Sequence, residues 1–131
     1  MRRQVLGLDI GGANIKAATA DGTFTETRYL PLWNQSHRLA EVLRDVVNSA
    51  GADSIAVTMT GELADCFESK QHGVEFICEA VVKASTSPDK IYVYRIDGDW
   101  LAPAQCTEQW RSVAASNWHA IASIAAASAP D

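Results

Sequence analysis

The feature that most constrains the fold is the stretch "QVLGLDIGGANIKAATADG" near the amino terminus. An apolar run of strand length, residues 4–10, ends at Gly11-Gly12, and a second run of strand length, residues 14–20, follows directly. Asp21-Gly22 is a strong two-residue turn signal, and it predicts a third strand over residues 23–32. The chain is therefore expected to open with three antiparallel strands.

Helix and strand patterns alternate after this opening. Apolar residues recur at helical spacing from Ser36, the predicted N-cap, as far as Gly51. A β-rich run over residues 54–60 comes next, and a second helical pattern follows over residues 67–82, with Gly73 as an expected weak point inside it. These elements predict an α-β-α unit after the three strands.

The carboxyl-terminal third predicts one hairpin and one helix. "IYVYRI" and "WLAP" flank Asp97-Gly98, a hairpin signal, and the alanine-rich segment 108–128 is helical by propensity. The full order βββ-α-β-α-β-β-α predicts one α/β domain, residues 1–131, in which helices flank a mixed sheet.

Composition excludes several classes of protein. The chain has 131 residues and a net charge of -5 without Lys/Arg clusters, which argues against nucleic acid as a partner. The most apolar segment, residues 113–129, is interrupted by polar residues, so no membrane span is expected. The first ten residues do not form a signal peptide because the apolar run is short and contains Asp9. We therefore expect a cytoplasmic protein.

The three cysteines predict neither a disulfide framework nor a zinc site. Cys66, Cys78 and Cys106 are odd in number and form no CxxC pair, so free thiols in or near the core are expected. Cys66 in particular is interpreted as a small packed side chain.

The glycine turn has two interpretations. Glycines in "DIGGAN" leave backbone N-H groups unobstructed, and such a turn can hold phosphate oxygens, with Asp9 placed to hold Mg²⁺ directly or through water. Asn14 and Lys16 share one face of the second strand, so both point towards such a ligand or both away from it. The pattern is neither a Walker A loop nor a Rossmann fingerprint. A plain hairpin turn is the alternative, because Gly-Gly is a common turn dipeptide.

A second candidate site is "TMTGELADC". Thr58 and Thr60 end a predicted strand, and Glu62 follows in the loop, where α/β proteins commonly place ligand-binding groups. Glu62 is the candidate acid or base, and its alternative role is to stabilise a helix N-terminus. Asp65 competes for the catalytic role, and Lys70 is either a ligand for an anionic substrate or a solvated lysine.

The histidines do not form a metal-ligand spacing. "NWH", residues 117–119 on the last helix, could line an interdomain cleft, although a tryptophan at such a position is more often a packing residue. A magnesium ion is expected only together with a phosphate.

Four segments of the chain carry a family resemblance. The opening strands with Asp-x-Gly and the α-β-α unit resemble the first, ribonuclease H-like domain of the actin, Hsp70 and sugar-kinase superfamily. "GLDIGGANIKAA", "PLW", "VTMTGELADCFESKQHGV" and "AASNWHA" together resemble the hydantoinase/oxoprolinase-related family linked to one-carbon transfer on tetrahydromethanopterin and to methanofuran. The matches run through the whole chain in the same order.

The resemblance implies a function, and it implies a second domain that follows this one in members of the family. It implies a protein that handles phosphate, ATP or a diphosphate with Mg²⁺, either a condensing synthase or a kinase-like enzyme, with Asp9, Gly11, Gly12, Asn14 and Lys16 at the phosphate and Glu62 with Asp9 in catalysis. Members of the family carry a second domain with another phosphate hairpin, and this chain stops before it.

A non-catalytic role is the alternative that stays open. In that case the chain is a fragment or subunit whose cleft is completed by a homodimer or a separate second-domain protein. The last helix is then expected to expose apolar side chains such as Val113 and Ile121. A regulatory role is disfavoured, because no helix-turn-helix precedes the first strand.

Overall fold

Residues 4–129 are described by the computed structural model, and they form one six-stranded sheet with helices on both faces. The strand order is β3-β2-β1-β4-β5-β6, in which β1, β4 and β5 are parallel and the other pairs are antiparallel. The strands are β1 (Val5–Ile10), β2 (Asn14–Thr19), β3 (Thr25–Tyr29), β4 (Ser54–Met59), β5 (Ile91–Tyr94) and β6 (Trp100–Leu101). The predicted antiparallel opening, the mixed sheet and the Asp97-Gly98 hairpin are confirmed.

The third strand is shorter than the predicted 23–32. It begins at Thr25, so residues 20–24 form a loop after β2 in place of the predicted two-residue turn at Asp21-Gly22. Its ladder ends at Tyr29, and the chain then turns along the first hairpin, where Leu30 N-H donates to Ala13 O and Leu32 N-H to Gly12 O. Pro31 lies between these two residues and has no N-H to donate, so a regular strand cannot continue through it.

The first helical region begins earlier and in more pieces than predicted. A single turn, α1 (Leu32–Gln35), leads into a 3₁₀ turn over Ser36–Arg38 and then into α2 (Leu39–Ala50). Ser36 is therefore not the N-cap of α2: that position is Arg38, which makes no side-chain capping bond. Leu32, the first residue of α1, is fully buried beside Gly61, and its burial favours a helical conformation that begins before the serine. The predicted end is confirmed, because Gly51 adopts the left-handed conformation at φ 62° and closes the helix on Val47 O.

The second long helix, α3 (Lys70–Ala84), begins later than the apolar pattern suggested. Ser69 is its N-cap and accepts a hydrogen bond from His72 N-H at 3.0 Å. Gly73 lies in the first turns of this helix and is buried. A Cβ on Gly73 would lie 2.7 Å from Cα of Glu62, so this glycine permits close packing and is not the weak point expected from propensity.

The carboxyl-terminal segment is two helices and not one. The helices α4 (Trp110–Val113) and α5 (Ser116–Ser128) are separated by Ala115, which has φ 54°. Val113 is fully buried in the core, so the prediction that it is exposed is wrong, because the break turns α4 inwards. Ile121 on α5 is 60% exposed, and the prediction for that residue is confirmed.

The core lies on one face of the sheet. Strand alternation buries Leu6, Leu8 and Ile10 on that face, where they join apolar side chains of α2 and α3. The other face of β1 carries Gly7 and Asp9, and α5 lies over this face beside β4. The candidate site lies on this second, more open face.

Candidate functional site

Polar side chains form a row across the open face. Asp9 on β1 is the register partner of Lys16 on β2 and of Thr58 on β4, and Lys16 is the partner of Thr27 on β3. Register partners project to the same side of a sheet, so these side chains are neighbours. Thr58 Oγ1 lies 3.4 Å from Asp9 Oδ1. The structure thus brings Asp9 and Lys16 together, and the prediction that Asn14 and Lys16 share a face is confirmed, since both are exposed on alternate positions of β2.

The first hairpin closes through Gly11 and leaves Gly12 open. Gly11 N-H donates to Asn14 O at 3.0 Å, so this N-H is engaged within the turn. A Cβ on Gly11 would lie 3.1 Å from the same carbonyl oxygen, whereas a Cβ on Gly12 would have no atom within 4 Å. In residues 4–129 the N-H groups of Gly12 and Ala13 make no hydrogen bond. The two N-H groups available to an anion therefore belong to Gly12 and Ala13, whereas Gly11 shapes the turn.

The hairpin is held from two sides. Leu32 N-H donates to Gly12 O at 2.9 Å on one side, and Thr60 N-H donates to Ile10 O at 3.0 Å on the other. Gly61, after Thr60, is buried against Leu32, Ile77 and the carbonyl of Gly11. These contacts therefore hold the backbone of the turn in one conformation, so the turn is preorganised for a ligand.

A groove of about 570 Å³ lies between the open face and α5. Its floor contains Gly7 and Ala56, and its outer wall belongs to α5 and is mostly apolar, with Asn117 and Ser123 as polar members. Among the described residues that line the groove, Asp9 is the one that carries a charge, and it lies at the end towards the hairpin. The groove is thus apolar along its length and polar at one end.

Two aromatic residues form the other end of the groove, and the sequence reasoning missed both. Tyr94 on β5 and Trp100 on β6 are register partners whose rings meet edge to face, with centroids 5.4 Å apart. Tyr94 Oη shares a hydrogen bond of 2.9 Å with His119 Nδ1 on α5. Asn117 also lines the groove, whereas Trp118 is 58% exposed and is not the packing residue that was expected. The alternation in "IYVY" was the available signal for Tyr94.

Glu62 lies below the surface and outside the groove. It belongs to a 3₁₀ turn, Gly61–Leu63, is 2% exposed, and its Oε1 accepts a hydrogen bond from Ala115 N-H at 2.6 Å. Its Oε2 has no partner within the described chain. Burial raises the pKa of the Glu62 carboxyl, while the hydrogen bonds and the charge of Lys70 oppose that rise.

The carboxylate of Glu62 fixes the start of α5. Ala115 is the N-cap residue of that helix, and its left-handed backbone is held by the bond to Glu62. Next to it, Met59 N-H at the end of β4 donates to Ser116 Oγ at 3.2 Å. The structure therefore places Glu62 at a helix N-terminus, although the helix is α5 and not the one that follows it in sequence.

The remaining candidates lie on the surface. Asp65, Cys66 and Lys70 are exposed, and Cys66 is therefore not the packed side chain that was expected, because the loop between Gly61–Leu63 and α3 follows the outside of the domain. Cys78 and Cys106 are buried free thiols, as expected.

The oxygen atoms near Asp9 are of the kind that binds magnesium in proteins. Among residues 4–129 no three His, Cys, Asp or Glu side chains come together as a metal site. Asp9 and Thr58 supply a carboxylate and a hydroxyl oxygen side by side, and Mg²⁺ in proteins is often held by one carboxylate together with phosphate oxygens and water. The residues present fit a magnesium ion that arrives with a phosphate.

None of the helices in the described part of the chain is both long and apolar enough to cross a membrane.

Comparison with known proteins relates the chain to a longer enzyme. No protein-family model matches it. It is 36% identical over 128 residues to the (4-{4-[2-(gamma-L-glutamylamino)ethyl]phenoxymethyl}furan-2-yl)methanamine synthase of Methanocaldococcus jannaschii. Among solved structures, RuvC of T. thermophilus in complex with a Holliday junction substrate superposes with a TM-score of 0.48 and 16% identity, over 71% of this chain and 64% of RuvC. The alignment with the synthase covers 96% of this chain and 38% of the synthase, so the sequence relates this whole α/β domain to a part of a longer synthase.

Proposed function

We propose that this chain is the diphosphate-binding domain of a condensing synthase in methanofuran-linked one-carbon metabolism. The observation that carries the proposal is the Asp9–Lys16 pair beside the two unengaged N-H groups of the Gly12-Ala13 turn. The similarity to the M. jannaschii synthase supports the reaction class. The name of that relative describes a furan joined through a methylene carbon to a phenoxy oxygen. Such a bond forms when a phenol oxygen displaces diphosphate from the methylene carbon and the phenol proton passes to solvent.

The residues of the turn and of the polar row would bind different parts of the magnesium phosphate. The N-H groups of Gly12 and Ala13 donate to phosphate oxygens, and Lys16 adds a positive charge on the same face. Asp9 and Thr58 would hold Mg²⁺, and the ion would neutralise negative charge on the diphosphate leaving group. Asn14 lies at the edge of this row and contributes a neutral donor. ATP offers the same phosphate chemistry and is the alternative ligand.

Glu62 acts through α5 in this proposal. Its carboxylate is bonded to Ala115 and closed off from solvent, so it positions the helix that forms the wall of the groove. Asp9 is then the carboxylate that meets the ligand.

We further assign the domain to the ribonuclease H-like fold of the actin, Hsp70 and sugar-kinase superfamily. An antiparallel β3-β2-β1 unit joined through β4 to parallel β5 supports this assignment. The hydantoinase/oxoprolinase-related family is the member group whose four sequence segments this chain resembles.

A second candidate role is that of a non-catalytic subunit completed by a homodimer or by a second-domain protein. The apolar side chains of Trp118, Ile121 and Ile124 on α5 are 58%, 60% and 68% exposed, and they favour this candidate. In either case another domain or subunit must cover the exposed row of polar side chains and exclude water for efficient turnover.

The test is a titration of the ¹⁵N-labelled chain with magnesium diphosphate. We expect the Gly12 and Ala13 amide signals to shift at millimolar ligand, and Asp9→Asn to weaken the magnesium-dependent binding by roughly tenfold or more, because a charged ligand bond is lost. Asp89→Asn, an exposed aspartate far along the chain, is the matched control. Unshifted Gly12 and Ala13 signals, or equal binding by both variants, would contradict the proposal.

A further inference from the structure

The groove between the open face and α5 is built on very small residues. Gly7 and Ala56 are register partners on neighbouring strands, and both line the groove on the same side. Side chains no larger than a methyl group leave a flat floor in the middle of a sheet, whereas Tyr94 and Trp100 rise at one end of it. A flat floor with an aromatic end wall suits a planar ring better than a branched aliphatic group.

The length of the groove is set by the strands. Asp9 lies opposite Thr58, and the β4–β5 register of Val57 with Val93 brings Tyr94 to the level of Thr58. Asp9 and Tyr94 are therefore two strand spacings apart, roughly 9–10 Å. Thr58 lies between them, and the Gly7–Ala56 floor lies roughly 7 Å further along the strands, so a substituted ring on the floor approaches both side chains diagonally. The volume of about 570 Å³ also falls within the range of small-molecule sites.

Charge distinguishes the two ends. Asp9 is the charged side chain at the hairpin end, and the remaining described lining is neutral and largely apolar. A ligand that fits has a neutral aromatic body and carries its polar or metal-bound group at one end only. This distribution does not suit a charged peptide segment or a ligand that is polar throughout.

We infer that the groove between the sheet and α5 binds the aromatic or heteroaromatic ring of the substrate whose phosphate is held at the Gly12-Ala13 turn. The ring lies on Gly7 and Ala56, its edge meets Tyr94 and Trp100, and its exocyclic methylene points towards Asp9. This inference rests on the proposed function for the identity of the charged group, but ring binding itself needs no phosphate. The hydrogen bond between Tyr94 and His119 holds the aromatic end wall against α5.

Substitution of Gly7 by valine would fill space on the floor of the groove without straining the fold. A Cβ on Gly7 would have its nearest contact at 3.4 Å, with Ala18 O, which is ordinary van der Waals contact. Valine is also favoured in strands. Ala18 is the register partner of Gly7 on β2, exposed on the same face but outside the groove, so Ala18→Val is a matched control for Gly7→Val.

The test uses benzyl alcohol as a phosphate-free probe, with cyclohexylmethanol as the non-aromatic probe of similar size. We expect benzyl alcohol to shift the Trp100 indole N-H and the Gly7 and Ala56 amide signals, and to bind several-fold more tightly than cyclohexylmethanol. Gly7→Val should weaken benzyl alcohol binding at least fivefold, whereas Ala18→Val should leave it within twofold of the unmodified chain. Thermal unfolding of both variants verifies that each is folded.

Two outcomes overturn the inference: shifts confined to residues outside the groove, or equal affinity of the Gly7→Val and Ala18→Val variants for benzyl alcohol. The same samples are then titrated with magnesium diphosphate. Diphosphate binding at the turn without benzyl alcohol binding in the groove refutes the ring site and leaves the proposed function standing. The opposite result refutes the proposed function and leaves an aromatic site.

Discussion

Leu32→Ala is expected to lower the free energy of unfolding by about 3 kcal/mol, within the range of large-to-small substitutions in protein cores. Leu32 is fully buried, and its N-H donates to Gly12 O. Its side chain also packs against Gly61, behind the hairpin. The substitution leaves a cavity directly behind the turn, so we expect weaker binding of magnesium diphosphate as well as lower stability. Urea unfolding and the diphosphate titration measure the two effects.

Leu63→Ala is the control for that experiment. Leu63 belongs to the neighbouring 3₁₀ turn and is 53% exposed, so the same change of side chain removes little buried surface. Its effect should remain below about 1 kcal/mol. Equal destabilisation by the two substitutions would show that burial behind the hairpin is not what holds the turn.

Gly73→Ala is expected to destabilise the protein by about 2 kcal/mol or more, although alanine normally stabilises a helix interior relative to glycine by about 1 kcal/mol. The added Cβ would lie 2.7 Å from Glu62 Cα and 2.9 Å from Glu62 O, and backbone atoms cannot move aside as a flexible side chain can. Displacement of Glu62 would also disturb its bond to Ala115. The Ala115 amide signal should therefore shift together with the loss of stability in urea.

Glu79→Ala on the exposed side of α3 is the matched control, with an expected change within about 0.5 kcal/mol. A Gly73→Ala variant that is as stable as the unmodified chain, or more stable, would mean that α3 and the Gly61–Leu63 turn are not in close contact.

Local sequence patterns predicted most of the strands, because each turn signal lies within a few residues of the strands that it joins. The stop at Gly51 depends on a backbone conformation that the local sequence dictates, and it was predicted correctly. A turn at Asp21-Gly22 is also present, but the loop spans residues 20–24 and is not the two-residue turn that was predicted. The predicted start of the first helix was wrong, because burial of Leu32 beside Gly61, 29 residues further along the chain, outweighs a serine N-cap signal. The break at Ala115 was also missed, since it depends on a hydrogen bond to Glu62, 53 residues away.

The candidate site was predictable at its turn but not in its groove. Asp9, Gly12 and Lys16 are close in sequence, and strand alternation alone places Asn14 and Lys16 on one face. The groove is made by residues from the middle and the end of the chain, and neither Ala56 nor Trp100 has a local sequence signal for a binding site. Glu62 was predicted as the catalytic acid or base, and sequence alone does not show that its hydrogen-bond partner is the N-cap of α5.

We expect the Gly12-Ala13 turn and the groove to form one binding site on the open face of the sheet. The most direct test is calorimetric titration of the chain with inorganic diphosphate and with benzyl diphosphate, both with Mg²⁺. If the two parts form one site, benzyl diphosphate binds roughly tenfold or more tightly, since burial of a ring contributes about 1.5–3 kcal/mol, and Gly7→Val but not Ala18→Val removes this difference. Equal affinities for the two ligands would contradict the account.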